Sequence, residues 1–133
     1  VIVLDTHVLI WSSIAPRRLG RRAKALIGRF WTTGRVSASA MSFWEAAMLA
    51  SMERVSLPAE PGDWRDQLLA AGLVELPVGG AIAIRATELT GLPDDPVDRL
   101  IAATALDHHA TLVTADERIL RWKHSLQRHD ARD

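Results

Sequence analysis

The chain has 133 residues, 48% of them hydrophobic, with sixteen basic and sixteen acidic side chains and no cysteine. That length suits one domain that buries roughly two-thirds of the unfolded chain's surface. It excludes a second domain, and the missing cysteines exclude disulfides and thiolate metal sites, so any metal would need oxygen or histidine ligands.

"VIVLDTHVLIW" lacks the basic lead of a signal peptide, and no apolar run reaches the roughly 18 residues of a membrane span, so a soluble cytoplasmic protein with no membrane partner is expected. "VIVLD" is a β-branched run stopped by an acid, which predicts a buried strand ending at Asp5. "THVLIWSS" predicts a short helix. From Arg18 to Trp31, Leu19, Ala23, Leu26, Ile27 and Phe30 recur at helical spacing with basic residues on the other faces, an amphipathic helix. "GRVSAS" predicts the second strand. "MSFWEAAMLASM" predicts a helix apolar nearly all round and therefore buried, with Glu45 its only ionisable group. After the Pro58 to Gly62 loop, "DWRDQLLAAG" reads as a helix closed by Gly72 and "LVELPV" as the third strand. "GGAIAIRATELTG" predicts a helix ended by Gly91 and Pro93, "PVDRLIAATALDHH" a strong helix, "ATLVTAD" a strong strand and "ERILRW" a short helix. The polar tail promises at most a short edge strand.

Strands alternate with helices and are apolar on both faces, which predicts an α/β fold: a mainly parallel central sheet covered on both sides, in three layers. Ligands of such sheets gather outside the C-terminal ends of the strands, where Asp5 and Asp116 stand. Seven basic residues (Arg17, Arg18, Arg21, Arg22, Lys24, Arg29, Arg35) and no acid lie between Thr6 and Trp44. This window is either a solvated helix face or the side that meets a polyanionic or acidic partner.

The acids each have two readings. Asp95 before Pro96 is a favoured helix cap, and Asp98 falls near the positive end of the helix dipole, so "DDPVDR" is a helix start in its own right. Ser42 to Glu45 matches a capping box, yet Glu45 shares a face with Met41, Met48, Leu49 and Met52, where a lone carboxylate needs compensation. Asp5 and Asp116 are each consistent with simple caps. Together, however, Asp5, Glu45, Asp98 and Asp116 can converge on one sheet edge. Two carboxylates about 5 Å apart repel by roughly 3 kcal/mol at an effective dielectric near 20, so such a group must take up protons or a cation. Carboxylate ligation favours Mg²⁺ or Mn²⁺ over zinc. His7 is the one histidine near that edge, and the acids alone suffice as ligands.

"VLDTHVLIW", "SAMSFWEAAML", "DPVDRLIAATAL" and "TLVTAD" resemble, in order, the PIN-domain nucleases, specifically the VapC toxins of bacterial type II toxin–antitoxin modules. The resemblance implies a single PIN domain over residues 1–133 and an Mg²⁺-dependent endoribonuclease, Mn²⁺ being an alternative ion. It places Asp5, Glu45, Asp98 and Asp116 as the catalytic, metal-binding acids. Thr6 and Thr114 take the small hydroxyl positions beside them, Asp95 acts as the helix cap of the D-P-x-D-R element, and Arg99 follows the third acid. Arg18, Arg21, Arg22, Lys24 and Arg29 become candidates for contacts to RNA phosphates. The resemblance also implies neutralisation by a cognate VapB-type antitoxin and a homodimer within a hetero-oligomer. Five tryptophans would suit such interfaces, with Trp44 the one most expected in the core, ahead of Trp11 and Trp31.

Three other readings compete. A haloacid-dehalogenase-type phosphatase wants a second aspartate where His7 stands. A receiver domain wants a lysine at a late strand end, whereas Lys123 follows a helix. A PIN-like module that binds protein or RNA without catalysis is the alternative from another class.

Overall fold

A computed structural model describes residues 1–133. In chain order the elements are β1 (Ile2–Leu4), α1 (Thr6–Ile14), a 3₁₀ turn (Pro16–Arg18), α2 (Arg21–Trp31), β2 (Val36–Ser39) and α3 (Ala40–Ser51). Then follow α4 (Pro61–Ala70), β3 (Val74–Leu76), α5 (Gly80–Thr87), α6 (Pro96–Asp107), β4 (Thr111–Thr114), α7 (Glu117–Leu120) and β5 (Arg128–Asp130).

The five strands form one sheet in the order β3-β2-β1-β4-β5, and every pairing is parallel. Strands apolar on both faces have two layers to fill. Val3 and Leu112 face the side covered by α5 and α6, where Ile82, Ala86, Ile101 and Ala105 pack. Ile2, Leu4, Val36 and Val113 face the side covered by α1, α2 and α4, with Leu9, Ile27 and Trp64. This is the three-layer α/β arrangement expected.

Because all strands run the same way, their C-terminal ends share one edge. Val3 of β1 stands in register with Ser37 of β2 and Leu112 of β4, and Thr114 with Asp130 of β5. Asp5, Ala40 and Asp116 all emerge there. The polar tail does form an edge strand: Leu126 and Ala131 bury their side chains on either side of Arg128–Asp130, so two anchors suffice where the strand itself is polar.

Several boundaries differ from expectation. Helix α2 begins at Arg21, not Arg18, because Pro16 opens a separate 3₁₀ turn and Gly20 stands extended as the helix cap. A Cβ at Gly20 would lie 2.2 Å from the main chain of Asp133, so only glycine admits the tail here. There the Gly20 N–H donates to the Ala131 carbonyl and the Ala23 N–H to that of Asp133, fastening the tail to the first turn of α2. Helix α5 stops at Thr87, short of Gly91. The cap of α3 is Ser39, whose hydroxyl accepts from the Met41 N–H; Ser42 lies inside the helix, so the expected capping box does not form.

Helix α3 is also less buried than its composition suggested. Small Ser42 and Ala46 take its inner face, and Trp44 points out, 54% exposed. The core tryptophans are instead Trp64 and Trp122, each with its indole N–H satisfied, by the Ser13 hydroxyl and the Thr90 carbonyl respectively.

Candidate active site at the strand ends

Asp5 follows the central strand and is only 3% exposed. Its Oδ1 accepts from the Thr6 N–H at 2.9 Å, which caps α1, and its Oδ2 accepts from the Thr114 hydroxyl at 2.6 Å. The Thr114 oxygen in turn accepts from the Asp116 N–H at 3.0 Å, so one hydroxyl ties the ends of β1 and β4 together. On the other side of Asp5 the Thr6 hydroxyl donates to Ser42 at 3.0 Å, linking α1 to α3 one turn before Glu45. Of the two hydroxyls, that of Thr114 braces Asp5 directly, whereas that of Thr6 is spent on Ser42 and Thr6 reaches Asp5 through its backbone N–H.

Asp95 caps α6, its Oδ1 accepting from the N–H groups of Val97 and Asp98 at 3.0 and 3.2 Å. That cap fixes the first turn and presents Asp98 toward the edge. Asp116 likewise caps α7 by accepting from the Arg118 N–H at 2.9 Å. For Asp5 and Asp116, capping and facing the edge are compatible, since each carboxylate has two oxygens.

The charge balance of the group is uneven. Burial pushes the Asp98 carboxyl up to about 7, and the negative charges of Asp5, Asp95 and Asp116 push in the same direction against Arg118. Burial also raises Glu45, partly offset by the nearby Thr6 hydroxyl, with Asp5 and Asp95 adding repulsion. Asp116 is held below the usual carboxylate range by its hydrogen bonds from Arg118. Asp98 thus feels Asp5 and Asp116, while Glu45 feels Asp5 alone of the other three. The four do not, however, stand as a ready ligand cage, because no three His, Asp or Glu side chains converge tightly enough to hold an ion as they are. Asp5 and Asp116 follow β1 and β4 at that edge, and Arg118 links Asp116 to Asp98 in the first turn of α6.

Arg118, which nothing in the sequence singled out, stands among these acids. Its Nε and Nη2 form a fork on Asp116 Oδ1 and Oδ2 at 3.2 and 2.9 Å, and Nη2 also reaches Asp98 Oδ2 at 3.1 Å. The only local signal is its place two residues after the Asp116 cap. His7, the histidine expected near this edge, is there: its Nε2 accepts from the Ala115 N–H at 2.9 Å, leaving Nδ1 3.7 Å from Asp5 Oδ2. A ring nitrogen committed to an amide is poorly placed to bind zinc.

Arg99 points away from the acids. It donates to the carbonyls of Pro93, Ala86, Leu89 and Leu92 and clamps the α5–α6 connection. Asp94 is fully exposed beside it, 3.4 Å from Arg99 Nη2. The basic candidates divide. Arg21, Arg22 and Lys24 occupy the first turn of α2, which the tail after β5 brings to the acidic edge. Arg18 lies over the Trp11 ring at 4.2 Å. Arg29 sits in the last turn of α2, toward the opposite edge, where Arg35 meets Ile2.

A parallel sheet with acids beyond the C-terminal ends of its strands places them at the edge where α/β proteins bind their ligands. The PIN-domain family profile matches residues 2–124, and the chain belongs to that family. Within it, the sequence is 36% identical over 124 residues to Ribonuclease VapC22 of Mycobacterium tuberculosis, covering 92% of both chains. Solved structures agree in fold: VapBC2 from Rickettsia felis bound to a promoter DNA fragment (TM-score 0.70, 17% identity, 96% of both chains). DNA-bound VapBC from Salmonella typhimurium is equally similar (TM-score 0.71, 18% identity, covering 97% of this chain and 96% of that one).

Proposed function

We propose that this chain, a single PIN domain over residues 1–133, is a metal-dependent endoribonuclease of the VapC type, acting in the cytoplasm and neutralised by a VapB-type antitoxin. The carrying observation is the gathering of acids at the strand ends, where Arg118 reaches only Asp98 and Asp116 and where burial, followed by the neighbouring carboxylates, raises Asp98 to about 7. Oxygen donors and a shortage of positive charge suit a hard divalent ion, Mg²⁺ or Mn²⁺. Asp5, Asp98, Asp116 and Glu45 would hold it. Bound there, the ion would supply Lewis acidity to the phosphoryl group and a more acidic water.

The remaining work belongs to the chain's own side chains. Thr114 and the Thr6 amide fix both oxygens of Asp5, and the Asp95 cap fixes the turn that carries Asp98, so the remaining approach to an ion would fall to side chains such as Asp98 and Glu45. Arg21, Arg22 and Lys24 provide sequence-neutral contacts to RNA phosphates on the same side. In-line attack by water would leave a 5′-phosphate and a 3′-hydroxyl. For the antitoxin, Trp31 lines an apolar groove of about 460 Å³ with Leu9, Leu19, Ile27 and Leu68, flanked by α1, α2 and α4. The relatives solved as VapBC assemblies support such a partner, and a homodimer within a hetero-oligomer is the proposed assembly.

The test is cleavage of total RNA by the purified chain with Mg²⁺ or Mn²⁺, followed by sequencing of fragment 5′ ends. Cleavage should stop in EDTA and in Asp98→Asn. Full activity under either condition refutes the metal-nuclease reading, and RNA binding without cleavage in every condition supports the non-catalytic PIN-like alternative.

A further inference from the structure

We propose that Arg118 is the resident counter-ion of the metal-free acid site, and that a divalent ion binds by displacing its guanidinium from Asp116 and Asp98. The proposal rests on the reading of these acids as metal ligands.

Three observations carry it. First, the guanidinium already sits between the two residues, on both oxygens of Asp116 and on Oδ2 of Asp98, where an ion shared by them would lie. A planar guanidinium that grips Asp116 through Nε and Nη2, with Nη2 shared onto Asp98, is a geometry lysine cannot copy. Second, the one guanidinium reaches only Asp116 and Asp98, while the buried Asp5 receives hydrogen bonds from neutral donors alone, the Thr6 N–H and the Thr114 hydroxyl. A dication at the same place both satisfies the acids better and repels the guanidinium. Third, the side chain is free to leave. It is 55% exposed, whereas the backbone that carries it is fixed: Ile119 is buried, and Glu117 on the same turn pairs with Arg132, itself bonded to Asp130. Only the side chain needs to swing, and the short helix α7 keeps its place.

The consequence is a built-in threshold. Arg118 holds the acids together when no metal is present and makes any ion compete for them, so metal affinity is lower than the four carboxylates alone would give.

The test is calorimetric titration of the intact chain with Mn²⁺, without RNA, for the wild type, Arg118→Gln, Arg118→Lys and Asp98→Asn. The Gln variant should bind Mn²⁺ about tenfold more tightly, and the Lys variant, with the charge but not the fork, should fall between. Metal-free Arg118→Gln should melt a few degrees below the wild type, with the gap closing at saturating Mn²⁺. Wild-type or weaker Mn²⁺ affinity in a cooperatively folding Arg118→Gln or Arg118→Lys overturns the role of Arg118. If in the same titration the wild type binds no Mn²⁺, or binds it no better than Asp98→Asn, the metal-site reading itself fails and takes this proposal with it.

Discussion

Replacing Asp98 with asparagine separates the electrostatics of the site from its chemistry. The carboxyl is raised from 3.8 to about 7 in the folded chain, so between those values the native state binds a proton that the unfolded state does not. Stability contributed at this position therefore falls as pH rises from about 4 to 7 and stays low above that. About three units at 1.36 kcal/mol each set an upper limit near 4 kcal/mol. Asp98 is 14% exposed and its Arg118 partner 55% exposed, so solvent screening reduces the observable part to about half. Asparagine keeps an oxygen for Arg118 and removes the charge. In EDTA, the stability of Asp98→Asn relative to the wild type should increase by about 1–2 kcal/mol between pH 5 and pH 8, read from urea unfolding at both pH values. The same variant should have lost RNA cleavage. An Asn-minus-wild-type difference that does not move with pH would refute the claim that Asp98 is the strained member of the group.

Three further outcomes test other parts of the structure. Arg99→Lys should destabilise the chain by about 2–4 kcal/mol in chemical denaturation, because a lysine cannot serve the four carbonyls that Arg99 reaches; a loss under 1 kcal/mol would show that water replaces it readily. Gly20→Ala should cost about 1–3 kcal/mol, since the new methyl meets the main chain of Asp133, and should speed tryptic cleavage after Arg132; unchanged proteolysis would mean that the tail docks elsewhere. Reversing charge at Arg21, Arg22 and Lys24 should weaken RNA binding by a similar factor across sequences and flatten its salt dependence, whereas Arg29→Glu should do much less; equal effects at both ends of α2 would remove the proposed phosphate path.

What the sequence revealed is unequal for physical reasons. The strands β1 and β4 and helix α6 are apolar runs whose burial is demanded on both sides, so pattern alone locates them, and the acids that end or cap them follow. Trp44 lies outside the core, against expectation, because an apolar composition says how much a helix could bury and not which face is offered to the sheet. Ser42 and Ala46 win that face in α3 by being small enough for close packing beside α1 and α6. The capping box at Ser42 failed because β2 runs straight into α3, placing the cap three residues earlier at Ser39. Arg118 was invisible for another reason. Its contact with Asp98 spans twenty positions and exists only because α6 and α7 both start at the same sheet edge.

The strand order has a consequence for how the protein comes into being. The central strand β1 is made first, yet its neighbours lie at residues 36–39 and 111–114, and its terminal carboxylate is braced by a threonine 109 positions later. Parallel pairings of such separation form late and slowly, since much chain must be ordered before they repay the cost. During translation Asp5 leaves the ribosome early, but Thr114, Asp116 and Arg118 follow only with the last quarter of the chain. Asp5, Glu45 and Asp98 are therefore all made before the strand exists whose pairing with β1 braces Asp5, and the strand-end group closes only when β4 docks.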